Sequence, residues 1–384
     1  MSSNAQSPTR TTFADGLVGR SNAFGLARLV LALLVIVGHA FPVGGWGADP
    51  TGPLTRGQAE LGDIAVVGFF AVSGYLIAIS AMRTPLLGYL WRRFLRIMPG
   101  FWVCLLVTAL LLGPIDYYRS HGSFDGYFNE PGGPATFVGM NALLLMRQFT
   151  INGVFEGAPL GAGVLNGSLW TLFFEVLCYL ILAGLAALGL LKQKWRWCVP
   201  ALAVVFYAIT VLAPIVGWHS FTLTALARLG SAFLTGATVA VYRDQLPFNG
   251  WLAALSGVLV VGTALLGGFL TVGYVALTYL ILWAAGRAPR ALHRIGSVND
   301  VSYGVYIYAW PVQMMLAIAG APALGFGWYV VLCVAAVLPL AAASWWLIEK
   351  PAIALKGRLP DRLLVVRGAA EAPVGGQENP CSVE

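Results

Sequence analysis

Charge is what this 384-residue chain has least of. Only 10% of its residues are Asp, Glu, Lys or Arg, whereas 58% are hydrophobic, a balance that excludes an ordinary soluble globular protein. Cysteine is scarce and scattered: the five cysteines form no CxxC pair and no metal-ligand spacing. Cys104, Cys178 and Cys333 fall in apolar runs, Cys198 beside one and Cys381 near the C-terminus, so they read as small hydrophobes and no metal is expected. No repeat of twenty to fifty residues and no inverted duplication is visible, which weakens a transporter reading. Residues 1–20 hold no apolar core, and no small-residue cleavage site precedes Arg28; the first apolar segment therefore reads as a retained span. The net charge of +7 sits mainly in short loops beside apolar segments, where it signals topology and gives no reason to expect nucleic acid.

What the chain does have is a succession of apolar runs. A helix that crosses a bilayer needs about 20 mostly apolar residues, and ten runs approach this, at about 24–43, 64–82, 99–115, 168–190, 199–214, 228–242, 251–266, 269–285, 302–320 and 327–347. The chain thus reads as an all-α polytopic membrane protein with about ten transmembrane helices, surrounded by membrane lipids. Arg83, Arg92, Arg93 and Arg96, then Lys192, Lys194 and Arg196, then Arg287, Arg290 and Arg294 occupy alternate loops, while the loops between them are acidic or neutral. This bias places both termini in the cytoplasm and the protein in the cytoplasmic (inner) membrane. The expected organisation is a cytoplasmic N-terminal tail (1–22), a transmembrane domain (23–350) and a largely disordered cytoplasmic tail (351–384). Within the domain, the Gly- and Pro-rich segment 116–167 lies outside and is long enough to cover a site.

Into this apolar background the first run places Arg28 and His39. Ionisable side chains inside a span are costly, and they usually face the interior and mark a path for substrate or protons. Eleven positions turn a helix by about 1100°, three full turns and roughly 20° more, so the two side chains share a face roughly 16 Å apart. By depth, His39 lies about one turn inside the outer boundary and Glu175 about two turns below the same boundary, so the two are expected to meet. A carboxylate beside an imidazole supports a general base; the plain alternative is a structural polar pair between two helices. At the opposite end Arg93 and Arg96 are neighbours on one helix face, and Arg28 adds a cation at the same level. Planar multi-donor cations grouped in this way suit a phosphate-bearing ligand, or serve simply as topology anchors. Ser73, near mid-span, is no nucleophile elbow, because Ala71 and Tyr75 stand where glycines are needed; small residues there more often allow close helix packing. The aromatics Trp170, Tyr303, Tyr306, Tyr308 and Trp310 offer faces to a sugar or nucleobase, or else form a membrane-interface belt.

Taken in order, these residues resemble the acyltransferase-3 family of integral membrane O-acyltransferases. The resemblance is carried by Arg28 and His39 at the R-x10-H spacing, FFAVSGYLI at 69–77, RRFLRIMP at 92–99, SLWTLFFE at 168–175, VSYGVYIYAWP at 301–311 and Ile348-Glu349-Lys350-Pro351. It implies transfer of an acyl group, commonly acetyl from acetyl-CoA, onto a hydroxyl of a saccharide or related envelope or secreted molecule. The partners implied are acyl-CoA and a saccharide or lipid-linked saccharide. His39 would be the base with Glu175 beside it. Arg28, Arg93 and Arg96 would hold the CoA phosphates, Ser73 would lie on the donor's path, and Trp170, Tyr303 and Trp310 would face the acceptor. Two departures matter: many members carry a Trp-His pair where this chain has Tyr308-Ala309-Trp310-Pro311, and some append a hydrolase-like domain where a short polar tail follows here. Either the membrane domain completes the reaction or a separate extracytoplasmic transferase does. The alternative reading is a proton-coupled transporter or flippase of an envelope precursor, with His39 and Glu175 as a proton relay.

Overall fold

The structure, a computed structural model, describes residues 11–17, 22–129, 131–160 and 163–358. Each of the ten apolar runs is helical, since hydrocarbon offers no partner for backbone N–H and C=O groups. In chain order the helices are α1 (Phe24–Val43), α2 (Leu61–Arg83), α3 (Leu86–Val107), α4 (Trp170–Ala187), α5 (Cys198–Ile215), α6 (Phe221–Val241), α7 (Gly250–Leu266), α8 (Tyr274–Arg287), α9 (Ser302–Ile318) and α10 (Phe326–Ser344). Counted with the short segments that extend them, eight are long and apolar enough to cross a membrane; α7 and α9 have 17 residues each. Among the described residues there is no strand, only the isolated bridges Thr12–Pro247 and Thr150–Val164. The fold is all-α and polytopic.

The centre is the α2–α6 pair, and glycine is what allows it. A Cβ on Gly74 would lie 1.8 Å from the Phe233 carbonyl oxygen, and one on Gly236 would lie 1.9 Å from that of Ala71. Two backbones approach this closely only through such residues, which drive helix association where lipid supplies no hydrophobic force. Helix α1 packs on α2, and α9 packs on α1, where Gln313 of α9 donates to the Ile36 carbonyl at 2.9 Å. Tyr303, Tyr306, Tyr308 and Trp310 are all buried, so these aromatics belong to the interior and form no interface belt.

Two peripheral segments are more ordered than their composition suggests. Phe13, within the expected N-terminal tail, is fully buried between the rings of Phe248 and Tyr279. The 116–167 segment begins inside a continuation of α3 that reaches His121, includes a helix at Pro134–Asn141 and folds back over α9, where Trp310 donates to the Val164 carbonyl at 2.9 Å. At the other end the expected disordered tail (351–384) begins as helix, which runs to Ala354; from residue 359 onward that tail lies outside the described residues.

Candidate active site

Asp300, in the turn before α9, organises the end of the bundle where the arginines cluster. Its Oδ2 accepts from Arg28 Nη1 at 2.5 Å and from Arg96 Nη2 at 2.8 Å, and Arg96 Nη1 reaches Glu349 Oε2 at 3.2 Å. The hydroxyls of Ser302 and Ser344 donate to Asp300 Oδ1 and Glu349 Oε1, and the Arg96 guanidinium lies over the rings of Tyr303 and Trp345. Burial alone would raise the Asp300 carboxyl, but the two guanidiniums hold it below its ordinary value. Two cations therefore face two anions. Arg93 differs: among the described residues it has no carboxylate partner, it lies 6.0 Å above the Tyr179 ring, and its buried Nε is unpaired. Three equivalent phosphate-holding arginines were expected; one unpaired guanidinium beside two paired ones is found.

Arg28 also stands between two cavities. One, of about 240 Å³, is lined by Asn22, Gly25, Leu76, Gly296 and Asp300 among others. The second is narrow, about 30 Å³, and runs between Arg28, Phe69, Phe70, Glu175, Tyr303 and Tyr306. In it, Glu175 Oε1 accepts from the Tyr179 hydroxyl at 2.5 Å and from Ser73 at 3.3 Å. Glu175 and Tyr179 are four apart on α4, so they share a face. Ser73 points to Glu175 while its neighbour Gly74 packs on α6.

His39 lies beyond this cavity, at the opposite end. Its ring meets Trp310 edge-on at 4.9 Å and 76°, and its buried Nδ1 has no partner. Gly62 at the start of α2 is close enough that a Cβ there would touch His39 Nε2 at 3.7 Å. Two carboxylates stand at this end of α1 and α2: Asp49 Oδ2 would lie 3.2 Å from a Cβ on Gly38, the residue before His39, and Asp63 follows Gly62. Asp63 pairs with Arg228 at 3.0 Å, and the buried Asp49 accepts from the N–H groups of Thr51 and Leu61.

The structure does not pair His39 with Glu175, whose carboxylate is engaged by Ser73 and Tyr179 one level deeper. The reason lies in the approach to α4. Residues 164–168 dip into the bundle before the helix begins: Asn166 donates to the Ile307 carbonyl at 2.8 Å and Tyr306 to that of Ser168 at 2.9 Å. Glu175 is consequently deeper than a count from the apolar boundary gives. The separation is modest, since Tyr306 in the cavity wall and Trp310 beside His39 are four residues apart on α9, roughly 6 Å along its axis.

Of the expected acceptor aromatics, Trp310 touches His39, Tyr303 lines the narrow cavity under Arg96, and Trp170 packs between Phe174 and Phe221 and lines neither cavity. Sequence reasoning missed Asp300, Glu349, Asp63, Arg228 and Tyr179. Tyr179 had a local signal in its spacing from Glu175. The ion pairs had none beyond the rule that a buried arginine is paired.

Comparisons with known proteins bear on the family of the chain. A family model for the acyltransferase domain, acyltransferase-3, matches residues 22–346. The chain is 30% identical over 357 residues to the O-acetyl transferase of Shigella phage Sf6, covering 86% of this chain and 96% of that protein. It is 28% identical to Nodulation protein 10 of Rhizobium leguminosarum bv. viciae, over 91% of this chain and 97% of the other. It is also 24% identical to Exopolysaccharide production protein ExoZ of Rhizobium meliloti (strain 1021), over 82% and 91%. No solved structure matches the chain.

Proposed function

The chain belongs to the acyltransferase-3 family and is an O-acyltransferase, and from that premise we propose that it carries acetyl from acetyl-CoA, bound at the cytoplasmic face, to a hydroxyl of an envelope or exported saccharide. The observation that carries this reading is the line of sites through the bundle. Arginines stand at one end, Arg28 separates a wider vestibule at that end from the narrow cavity that Glu175 lines, and His39 waits about one helical turn beyond.

Arg93 is the first contact for the CoA phosphates, with Arg28 and Arg96 joining as Asp300 yields. The acyl-pantetheine arm then follows the narrow cavity, which widens as Phe69 and Phe70 give way, and its amides meet Ser73 and Glu175. His39 removes the proton from the acceptor hydroxyl as that oxygen attacks the thioester carbonyl. The new C–O bond forms, the C–S bond breaks, and the imidazolium returns its proton to the departing thiolate. Glu175, engaged by Ser73 and Tyr179, does not take part in this proton transfer. Two printed names among the relatives, an O-acetyl transferase and an exopolysaccharide production protein, support the acetyl and saccharide halves of the reading. The arginine-rich loops support a cytoplasmic membrane location with both termini inside. No observation favours the transport alternative.

The test is transfer of isotope-labelled acetyl from acetyl-CoA, with succinyl-CoA in parallel, to glycan fractions followed by mass spectrometry. Labelled acetyl esters on saccharide hydroxyls are expected. A labelled product without saccharide, or a preference for succinyl, would overturn the assignment of acceptor or donor respectively.

A further inference from the structure

The outer segment holds a cavity that the chemistry above does not use. It measures about 390 Å³ and is lined by Tyr117, His121, Asp125, Tyr127, Asn152 and Glu156 among others, within the usual size of a small-ligand site. None of its walls comes from α1, α2 or α9. We infer that it is a docking site for a saccharide chain, separate from His39; the inference rests on the saccharide reading above and adds to it.

The lining has the two characters a pyranose ring requires. His121 stacks on Tyr117 at 4.2 Å and 16°, and Tyr127 leans against the same ring at 5.1 Å, which gives an aromatic platform for the apolar C–H face of a sugar. His121 Nδ1 is tied to the Tyr117 carbonyl at 3.0 Å, so Nε2 remains for a ligand. The side chains of Asp125 and Asn152 have no hydrogen-bond partner among the described residues, and Glu156 uses only Oε1, on the Gly153 N–H. Amide, carboxylate and imidazole at the rim supply the donors and acceptors that ring hydroxyls need.

The cavity is also built in advance of any ligand. Phe155 is fully buried with φ +58°, a conformation that is an outlier for a bulky residue and persists only where its surroundings enforce it. The enforcing group is Asp116, 1% exposed, whose Oδ2 takes the Phe155 N–H at 2.6 Å while Oδ1 pairs with Arg119 at 3.0 Å. At Gly153, φ is +77° and a Cβ would sit 2.7 Å from the Tyr117 ring, so no other residue fits without displacing the platform. One segment joins this cavity to the catalytic end. Thr150 bridges to Val164, the Val164 carbonyl accepts from Trp310, and Trp310 packs on His39. The segment that walls the cavity thus runs on to the residue packed against His39, and a saccharide chain long enough to follow it reaches the catalytic end.

The test uses the full chain in lipid nanodiscs, with methyl glycosides and matching hexasaccharides of glucose, galactose, rhamnose and N-acetylglucosamine as probes. For the sugar that accepts acetyl, the hexasaccharide is expected to show a lower KM than the methyl glycoside. Asn152→Ala and Asp125→Asn should each raise the hexasaccharide KM by about tenfold, the loss of a hydrogen bond or two. They should leave kcat and the methyl glycoside KM unchanged. Saturation-transfer NMR should show the hexasaccharide bound by His39→Ala as tightly as by the parent, and about tenfold more weakly by Asn152→Ala. Parental hexasaccharide KM in both cavity variants would overturn the docking site and leave the saccharide reading intact; a panel in which no sugar binds or accepts acetyl would overturn both.

Discussion

At the arginine end of the bundle, Arg28, Arg96, Asp300 and Glu349 each have an opposite charge within 3.2 Å; at the other end His39 is held by the ring of Trp310 with its Nδ1 unpaired. Both ends place ionisable groups where water is scarce, but they do so on opposite plans. A buried charge that already has its counter-ion is built for architecture, and removing one partner is what does harm. A ring nitrogen without a partner is held ready for something the protein does not itself supply. Arg93 shows the same contrast within one end: beside the paired Arg28 and Arg96, it has no carboxylate partner among the described residues.

The comparison is broken most severely by removing the group held ready. His39→Ala is expected to lower kcat by about 10²–10⁴-fold, the range of a general base, with a thermal unfolding midpoint close to the parent. Full acetyl transfer by folded His39→Ala would remove it from the chemistry. Arg96→Ala should act in the opposite manner, leaving the carboxylates of Glu349 and Asp300 buried without a shared cation. A loss of about 3–5 kcal/mol is expected, seen as a lowered unfolding midpoint and partly restored by adding Glu349→Gln. Arg93→Ala should leave stability nearly intact and raise the acetyl-CoA KM by about tenfold, with Arg93→Lys recovering part of it because lysine lacks the planar fork. The smallest effect belongs to Trp170→Ala. Its ring packs on Phe174 and Phe221, so acceptor KM and kcat should stay at parental values; a raised acceptor KM would return it to the site.

Much of this was legible in the sequence where the cause is local. Ten apolar runs became ten helices because run length and the absence of charge decide that outcome residue by residue. The turn arithmetic from Arg28 to His39 also held: Arg28 bonds Asp300 just before α9 and His39 meets Trp310 on α9, so both look towards the same neighbour. What was not legible depends on distant partners. Arg96 finds Asp300 and Glu349 across 204 and 253 positions, and no spacing rule spans such intervals. The His39–Glu175 pairing failed for a related reason, since the dip of residues 164–168 beneath the α4 start is fixed by contacts to Ile307 and Tyr306 and leaves no mark on hydropathy. The tyrosines of α9 fit a belt and a core equally well until α9 is seen to be enclosed.

The division of labour between the two ends is tested most directly in proteoliposomes of one orientation, fixed by labelling a cysteine introduced as Ser123→Cys in the 116–167 segment. Acetyl-CoA is supplied on one face and an impermeant saccharide acceptor on the other. Product should form when acetyl-CoA meets the arginine face and the acceptor meets the face of His39, and the reverse arrangement should give none. Efficient transfer only when donor and acceptor share the arginine face would contradict a reaction that runs from one end of the bundle to the other.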